Sequence, residues 1–196
     1  STLSSSSAAS DVYKRQGEKL MLDDDVLRII YEHHEHCDGS GYPQQLREAS
    51  IGRLSRIVCI ANHFDNLCNP VDPRVALSPH EALARMFLPQ YRVRFDDVAL
   101  KAFIRCMGVY PPGSLVQLED ERYALVLGMH PTLPMKPTLI VYDPAVPKEE
   151  ALIVNLEAEP KLAIASSMRP SQLPPAALEY LNPRQQLTYY VDPRRR

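Results

Sequence analysis

The chain has 196 residues, 45% of them hydrophobic and 23% charged, with a formal net charge of −2 at pH 7. That apolar content suits a buried core in one domain plus a smaller one, and the charge excludes a protein that holds duplex nucleic acid by net neutralisation of phosphates. No apolar run approaches the roughly 20 residues that cross a bilayer, and the N-terminal residues lack the basic-then-apolar order of a signal peptide, so no membrane segment and a cytoplasmic location are expected.

Residues 1–16 (STLSSSSAASDVYKRQ) repeat serine without apolar periodicity, and DVYKRQ resembles translated adapter sequence. They read as a non-native or disordered leader and carry no weight for the fold. From Leu20 the pattern turns helical: Asp23, Asp24 and Asp25 offer a cap and an acidic first turn, and Val26, Ile29, Ile30, His33 and His34 fall on or beside one face. Gly39 and Gly41 are expected to end this helix, and Pro43 to prevent its resumption. A second helix is predicted over residues 51–67, with Leu54, Ile57, Val58, Ala61, Phe64 and Asp65 near its buried stripe. Ser78-Pro79-His80-Glu81 is a capping box that opens a helix to about Phe87, and another is predicted from about Phe95 to Met107, stopped by Gly108.

After Tyr110-Pro111-Pro112-Gly113 the pattern changes to short β-prone runs at 115–119, 123–129, 138–142 and 152–156, parted by proline-rich or charged turns. The expected organisation is a partial helical domain over 17–109, a small β-rich extension over 110–168, and an irregular tail over 169–196 with a short helix near Pro175. The expected fold class is mainly α. The strands either seal the helical core or offer a homodimer contact. Cys37, Cys59, Cys68 and Cys106 lie far apart without a C-x-x-C pair and read as reduced thiols.

The most specific stretch is His33-His34-Glu35-His36-Cys37-Asp38-Gly39-Ser40-Gly41-Tyr42-Pro43. Tandem imidazoles on a helix diverge by about 100°, which suits two ions a few ångströms apart better than chelation of one. The plainer alternative is a pair of hydrogen-bonded core histidines. His36 and His80 read as surface side chains, and His130 has no partner at metal-ligand spacing.

This stretch, followed by Leu46, Ile51, Arg56-Ile57 and Ile60-Ala61-Asn62-His63-Phe64-Asp65-Asn66-Leu67, resembles the second half of an HD-GYP domain, a helical metal-dependent phosphohydrolase module. Gly108 to Val116 resembles the segment that often closes such domains. The resemblance implies the C-terminal part of an HD-type helical bundle that hydrolyses cyclic di-GMP with two or three divalent ions, Fe or Mn. It makes His33 and His34 metal ligands, and it places Asn62 where the family has a metal-binding aspartate. Asp65 matches the second aspartate of the same word and is the candidate catalytic carboxylate. Gly41, Tyr42 and Pro43 would shape the substrate pocket, and Arg74 would contact phosphate. Cyclic di-GMP is the implied ligand, and GGDEF or receiver domains are the implied signalling partners.

The departures bear on activity. Asn62 brings no charge to a position that normally carries a carboxylate. Val71-Asp72-Pro73 replaces the family's R-P-Y word, which removes an arginine and adds an acidic neighbour. Gln45 and Glu48 stand where the family tends to have glycine. The signature His-Asp pair is expected in a half that this chain does not contain. Two readings follow: a fragment of a signalling protein that hydrolyses cyclic di-GMP to linear dinucleotide or GMP, and a catalytically degenerate domain that acts as a nucleotide-responsive or protein-interaction module. Hydrolysis of another nucleotide is a third.

Overall fold

The computed structural model describes residues 22–181 apart from residue 131. The leader at 1–16 and the basic end Arg194-Arg195-Arg196 lie outside the described residues. Contacts divide the chain into two compact units, Ser1–Phe64 with Arg85–Phe103, and Asp65–Ala84 with Ile104–Arg196.

In the first unit, helix α1 spans Asp24–Glu32, and Asp23 caps it by accepting from the Asp25 amide at 2.9 Å. The helix stops earlier than the glycines suggest. His33 is its C-cap, and the Glu35 amide turns back to the Glu32 carbonyl at 2.8 Å. The run from His33 to Asp38 offers no apolar stripe to extend the helix against a core. A 3-10 turn at Glu48–Ser50 leads to helix α2, Arg53–Cys68.

Glu32 ties the two helices together. Its buried carboxylate accepts from the Gly52 amide at 2.7 Å and from Arg28 Nε at 2.8 Å, while Arg28 Nη2 donates to the Ser50 carbonyl at 3.0 Å. An unpaired amide at the entry to α2 thereby gains a charged acceptor. The buried stripe of α2 is Ser55, Cys59, Ile60 and Phe64, whereas Leu54, Ile57 and Val58 are exposed. The stripe is rotated from the one that hydropathy indicates, and within it Cys59 Sγ donates to the Glu35 carbonyl at 3.2 Å.

Helices α3 (Pro79–Phe87), α4 (Pro89–Arg92) and α5 (Asp97–Met107) follow. Ser78 and Glu81 form the capping box at the start of α3, and Gly108 leaves α5 with φ at +73°.

The second unit contains a five-stranded antiparallel sheet of β1 (Leu115–Leu118), β2 (Tyr123–Gly128), β3 (Thr138–Val141), β4 (Leu152–Asn155) and β5 (Ile164–Met168), in the order β4-β3-β2-β1-β5. Alternation along the strands supplies two apolar faces. Val116, Leu118, Ala124, Val126, Leu139 and Val141 form one core with Tyr110 and Leu156. Leu115 forms the other with Leu173, Ala177 and Leu181, the last two from helix α6 (Pro175–Leu181).

The expectation of a mainly α chain, the C-terminal part of a helical bundle with a small β-rich appendage, is therefore corrected. Six α-helices and a five-stranded sheet among the described residues make an α+β chain. The sheet is no accessory, because both of its faces bury side chains. Strand β5 escaped the sequence reading because Ile164-Ala165-Ser166-Ser167-Met168 has a single strongly β-prone residue. Its pairing with β1 supplies the reason to be extended.

Candidate functional site

The end of α1 and the glycine loop fold over one another within the first unit. His33 and His34 lie side by side, with ring centroids 4.0 Å apart and planes tilted by 39°. This differs from the splayed pair expected on a helix, because both follow the last helical residue. Nδ1 of His33 sits 3.1 Å from the Ile29 carbonyl and 2.9 Å from that of Ile30. A neutral ring so placed donates from Nδ1 and keeps its lone pair on Nε2.

Tyr42 covers His34. Their rings stack at 4.6 Å and 24°, and the Tyr42 amide donates to the His34 carbonyl at 3.2 Å. Gly41 makes this fold-back sterically feasible. A Cβ on Gly41 would lie 2.4 Å from the His36 amide nitrogen, and 2.5 Å from both the Glu35 Cα and the His34 carbonyl oxygen. All three are backbone atoms, so no side-chain movement relieves the clash. Pro43 is half-buried behind Tyr42, and the peptide bond joining them is cis.

Asn62 reaches the same place from α2. Its side-chain Nδ2 lies 3.4 Å from His34 Nδ1, and since an amide nitrogen only donates, the imidazole nitrogen is the acceptor. Burial, and next the neighbouring His33 and His36, lower the His34 pKa to about 4. His34 is therefore neutral at physiological pH, with the proton on Nε2.

Burial also lowers His63 to about 4, with His36 and Arg94 contributing, and its Nε2 is buried without a partner among the described residues. The His63 ring lies edge-on to Phe95, with centroids 5.1 Å apart. His36 is half-buried and bonded through Nδ1 to Ser40 Oγ at 2.9 Å, so it is not a free surface group. Burial raises the Cys37 thiol to about 11 and the Cys59 thiol to about 12, which leaves both protonated.

Asp65 and Arg74 belong to the second unit. Asp65 is exposed and accepts from Asn69 Nδ2 at 2.7 Å. Arg74 is exposed, and its guanidinium is engaged by Asp72 through Nε at 2.9 Å and Nη2 at 2.8 Å. The hydrogen bond from Arg74 holds the Asp72 carboxyl below its ordinary range. His80 in the same unit bonds through Nδ1 to the Val109 carbonyl at 2.7 Å and stacks on Tyr110 at 4.9 Å, a structural histidine rather than a surface one. His130 Nε2 lies 3.0 Å from a Glu157 carboxylate oxygen.

The structure thus brings together His33, His34, Gly41, Tyr42, Pro43 and Asn62. A divalent ion needs more than they offer. Two imidazoles suit Fe or Mn, but the third group is an amide whose nitrogen faces His34. Among the described residues, no group of three or more His, Cys, Asp or Glu side chains converges to hold an ion. The described residues do not fit a complete metal centre.

The sequence reading gave no role to Glu35, although it lies inside the quoted motif. It is 1% exposed and receives two backbone amides of the loop, Gln44 at 2.6 Å and Leu46 at 2.9 Å. The available signal was a carboxylate set between histidines directly before a glycine turn, where an acceptor for loop amides is needed.

Comparison with known proteins bears on this arrangement. Residues 9–98 match the HD domain family. A cyclic di-GMP phosphodiesterase of Pseudomonas aeruginosa is 31% identical over 117 residues, covering 60% of this chain and 28% of the relative. The cyclic di-GMP phosphodiesterase response regulator RpfG of Xanthomonas campestris is 36% identical over 77 residues, covering 39% and 20%. A 3'3'-cGAMP-specific phosphodiesterase of Vibrio cholerae is 33% identical over 89 residues, covering 45% and 21%. The chain therefore spans between 20% and 28% of the length of these relatives. No helix among the described residues is long and apolar enough to cross a membrane. The histidine pair and the glycine-tyrosine-proline turn both lie inside the segment, residues 9–98, that is similar to the HD domain family.

Proposed function

We propose that the chain is the GYP-bearing part of a bacterial signalling protein whose activity is metal-dependent hydrolysis of cyclic di-GMP, to the linear dinucleotide or to GMP. The observation that carries this reading is the His33 and His34 ring pair, with His34 neutral and stacked under Tyr42, an aromatic side chain of the kind that bases stack on. The relatives, phosphodiesterases of cyclic di-GMP and of 3'3'-cGAMP, support a cyclic dinucleotide as substrate class. The proposed cofactor is Fe or Mn in a di- or trinuclear centre, with His33, His34 and Asn62 as this chain's contribution and the remaining donors outside the described residues. Gly41, Tyr42 and Pro43 shape the pocket. Asp65 is the candidate catalytic carboxylate and Arg74 the phosphate contact. GGDEF or receiver domains, a homodimer and a cytoplasmic location complete the proposal.

A second reading is a catalytically degenerate domain that senses a nucleotide or docks a protein. Asn62 favours it, because its amide N–H occupies the His34 nitrogen. The Asp72–Arg74 pair favours it as well, since it neutralises the candidate phosphate contact. Turnover of cyclic di-GMP by the full-length protein, with stoichiometric Fe or Mn, would establish the first reading. Binding without turnover would establish the second, and absence of both would refute the two together.

A further inference from the structure

Two features of the glycine loop are joined by a third. The first is backbone strain. Gln45 has φ at +57°, a left-handed conformation that is strained for a residue with a Cβ. The second is a buried charge. Glu35 lies 1% exposed, directly after the histidine pair, with its backbone amide on the Glu32 carbonyl and its own carbonyl accepting from Cys59. The third is the pairing of these two. The Glu35 carboxylate accepts from the amides on either side of the strained residue, Gln44 at 2.6 Å and Leu46 at 2.9 Å. Charge-assisted bonds of this kind offset the desolvation of the carboxylate, and in return they hold Gln45 in a conformation that it would otherwise leave.

We propose that Glu35 is the positioning residue of this loop: by clamping Gln44 and Leu46 it fixes the turn that seats the Tyr42 ring on His34. Its bearing on ligand recognition rests on the reading of His34 and Tyr42 as dinucleotide-site residues. The clamp acts through the backbone. One carboxylate oxygen takes each amide, so a side chain with a single acceptor oxygen, or one shorter by a methylene, cannot hold both. Gly41 keeps the other end of the loop pressed to the backbone of residues 34–36. Tyr42 is thus held between a steric stop and an electrostatic one.

The test is amide hydrogen exchange and proton NMR on the full chain, comparing the wild type with Glu35→Gln and Glu35→Asp. The expected result is exchange at Gln44 and Leu46 faster by about tenfold or more. Cross-peaks between the Tyr42 and His34 rings should be lost, while α2 and sheet amides stay protected as in the wild type. Tyr42 to His34 cross-peaks that persist in either folded variant would overturn the proposal, as would unchanged exchange at Gln44 and Leu46. Unfolding of both variants would overturn it too, by making Glu35 a residue of the fold as a whole. A parallel titration with cyclic di-GMP separates the two levels. Wild-type binding weakened about tenfold in a folded variant supports the positioning role in recognition. A wild-type chain that binds no cyclic di-GMP, with the exchange and cross-peak changes intact, refutes its dinucleotide reading while upholding the clamp.

Discussion

Asn62 donates its side-chain amide to Nδ1 of His34 across 3.4 Å, linking α2 to the residue beneath Tyr42. A carboxylate at the same place would be an acceptor, and would call for a proton or a cation on that imidazole nitrogen. Asn62→Asp should therefore raise the His34 pKa from about 4, by about 1–3 pH units for an opposite charge at contact distance. An NMR titration of the His34 ring checks this. Uptake of Mn2+ should rise in the same variant, and a flat His34 titration would show that residue 62 does not govern the ring.

Gly41→Ala places a methyl group 2.4–2.5 Å from three backbone atoms. Overpacking that rotamers cannot relieve should cost about 1–3 kcal/mol. Urea denaturation gives the loss, and the Tyr42 to His34 cross-peaks should weaken in the same sample.

His63 sits among Phe95, Tyr91 and His36 with a buried nitrogen that has no partner among the described residues. His63→Phe should stabilise the chain by about 1 kcal/mol at neutral pH, by removing an unsatisfied polar atom. The pH dependence adds to this. The folded pKa of about 4 is below the ordinary 6.5, so on acidification the unfolded chain takes up this proton first. Stability contributed by the neutral ring is therefore present above the ordinary value and is lost as pH falls towards the folded one. The advantage of His63→Phe should widen between pH 7 and pH 5, as read from urea midpoints.

Ser78 and Glu81 cap α3, and Glu81 also receives Arg169 at 2.7 Å across 88 residues of sequence. Ser78→Ala should cost about 1 kcal/mol. For Glu81, burial pushes the carboxyl pKa up, but the bonds from Arg169 and Ser78 outweigh it and the net shift is downward. Its stabilisation is present above the unfolded carboxyl range and is lost as pH falls through the lower folded value. The stability gap between wild type and Glu81→Gln should therefore narrow as pH falls below the ordinary carboxyl value of 4.5.

Local features were legible in the sequence where the cause is local. The capping box at Ser78, the glycine stop after Met107 and the strand runs before residue 156 each depend on side chains within a few residues of the backbone they shape. The end of α1, the buried face of α2 and β5 were misread or missed, and each is decided by a partner distant in the chain. Hydropathy pointed to Leu54, Ile57 and Val58, but Ser55 and Cys59 are buried instead, and Cys59 donates to the Glu35 carbonyl. Ile164 to Met168 becomes a strand through β1, about fifty residues earlier in the chain.

The sequence alone carried the family resemblance, because it rests on the order of HHEHCDGSGYP and the helix bearing Asn62. It also located the departures at Asn62 and Val71, since a residue type needs no coordinates. Only the tertiary structure decided what these residues do to one another: that His34 is neutral, accepts from Asn62 and lies under Tyr42, and that Glu35 carries the loop. The physical reason is that burial, tautomer and hydrogen-bond partner are set by groups brought together from α1, the loop and α2. The pattern of any one of these segments contains none of that information.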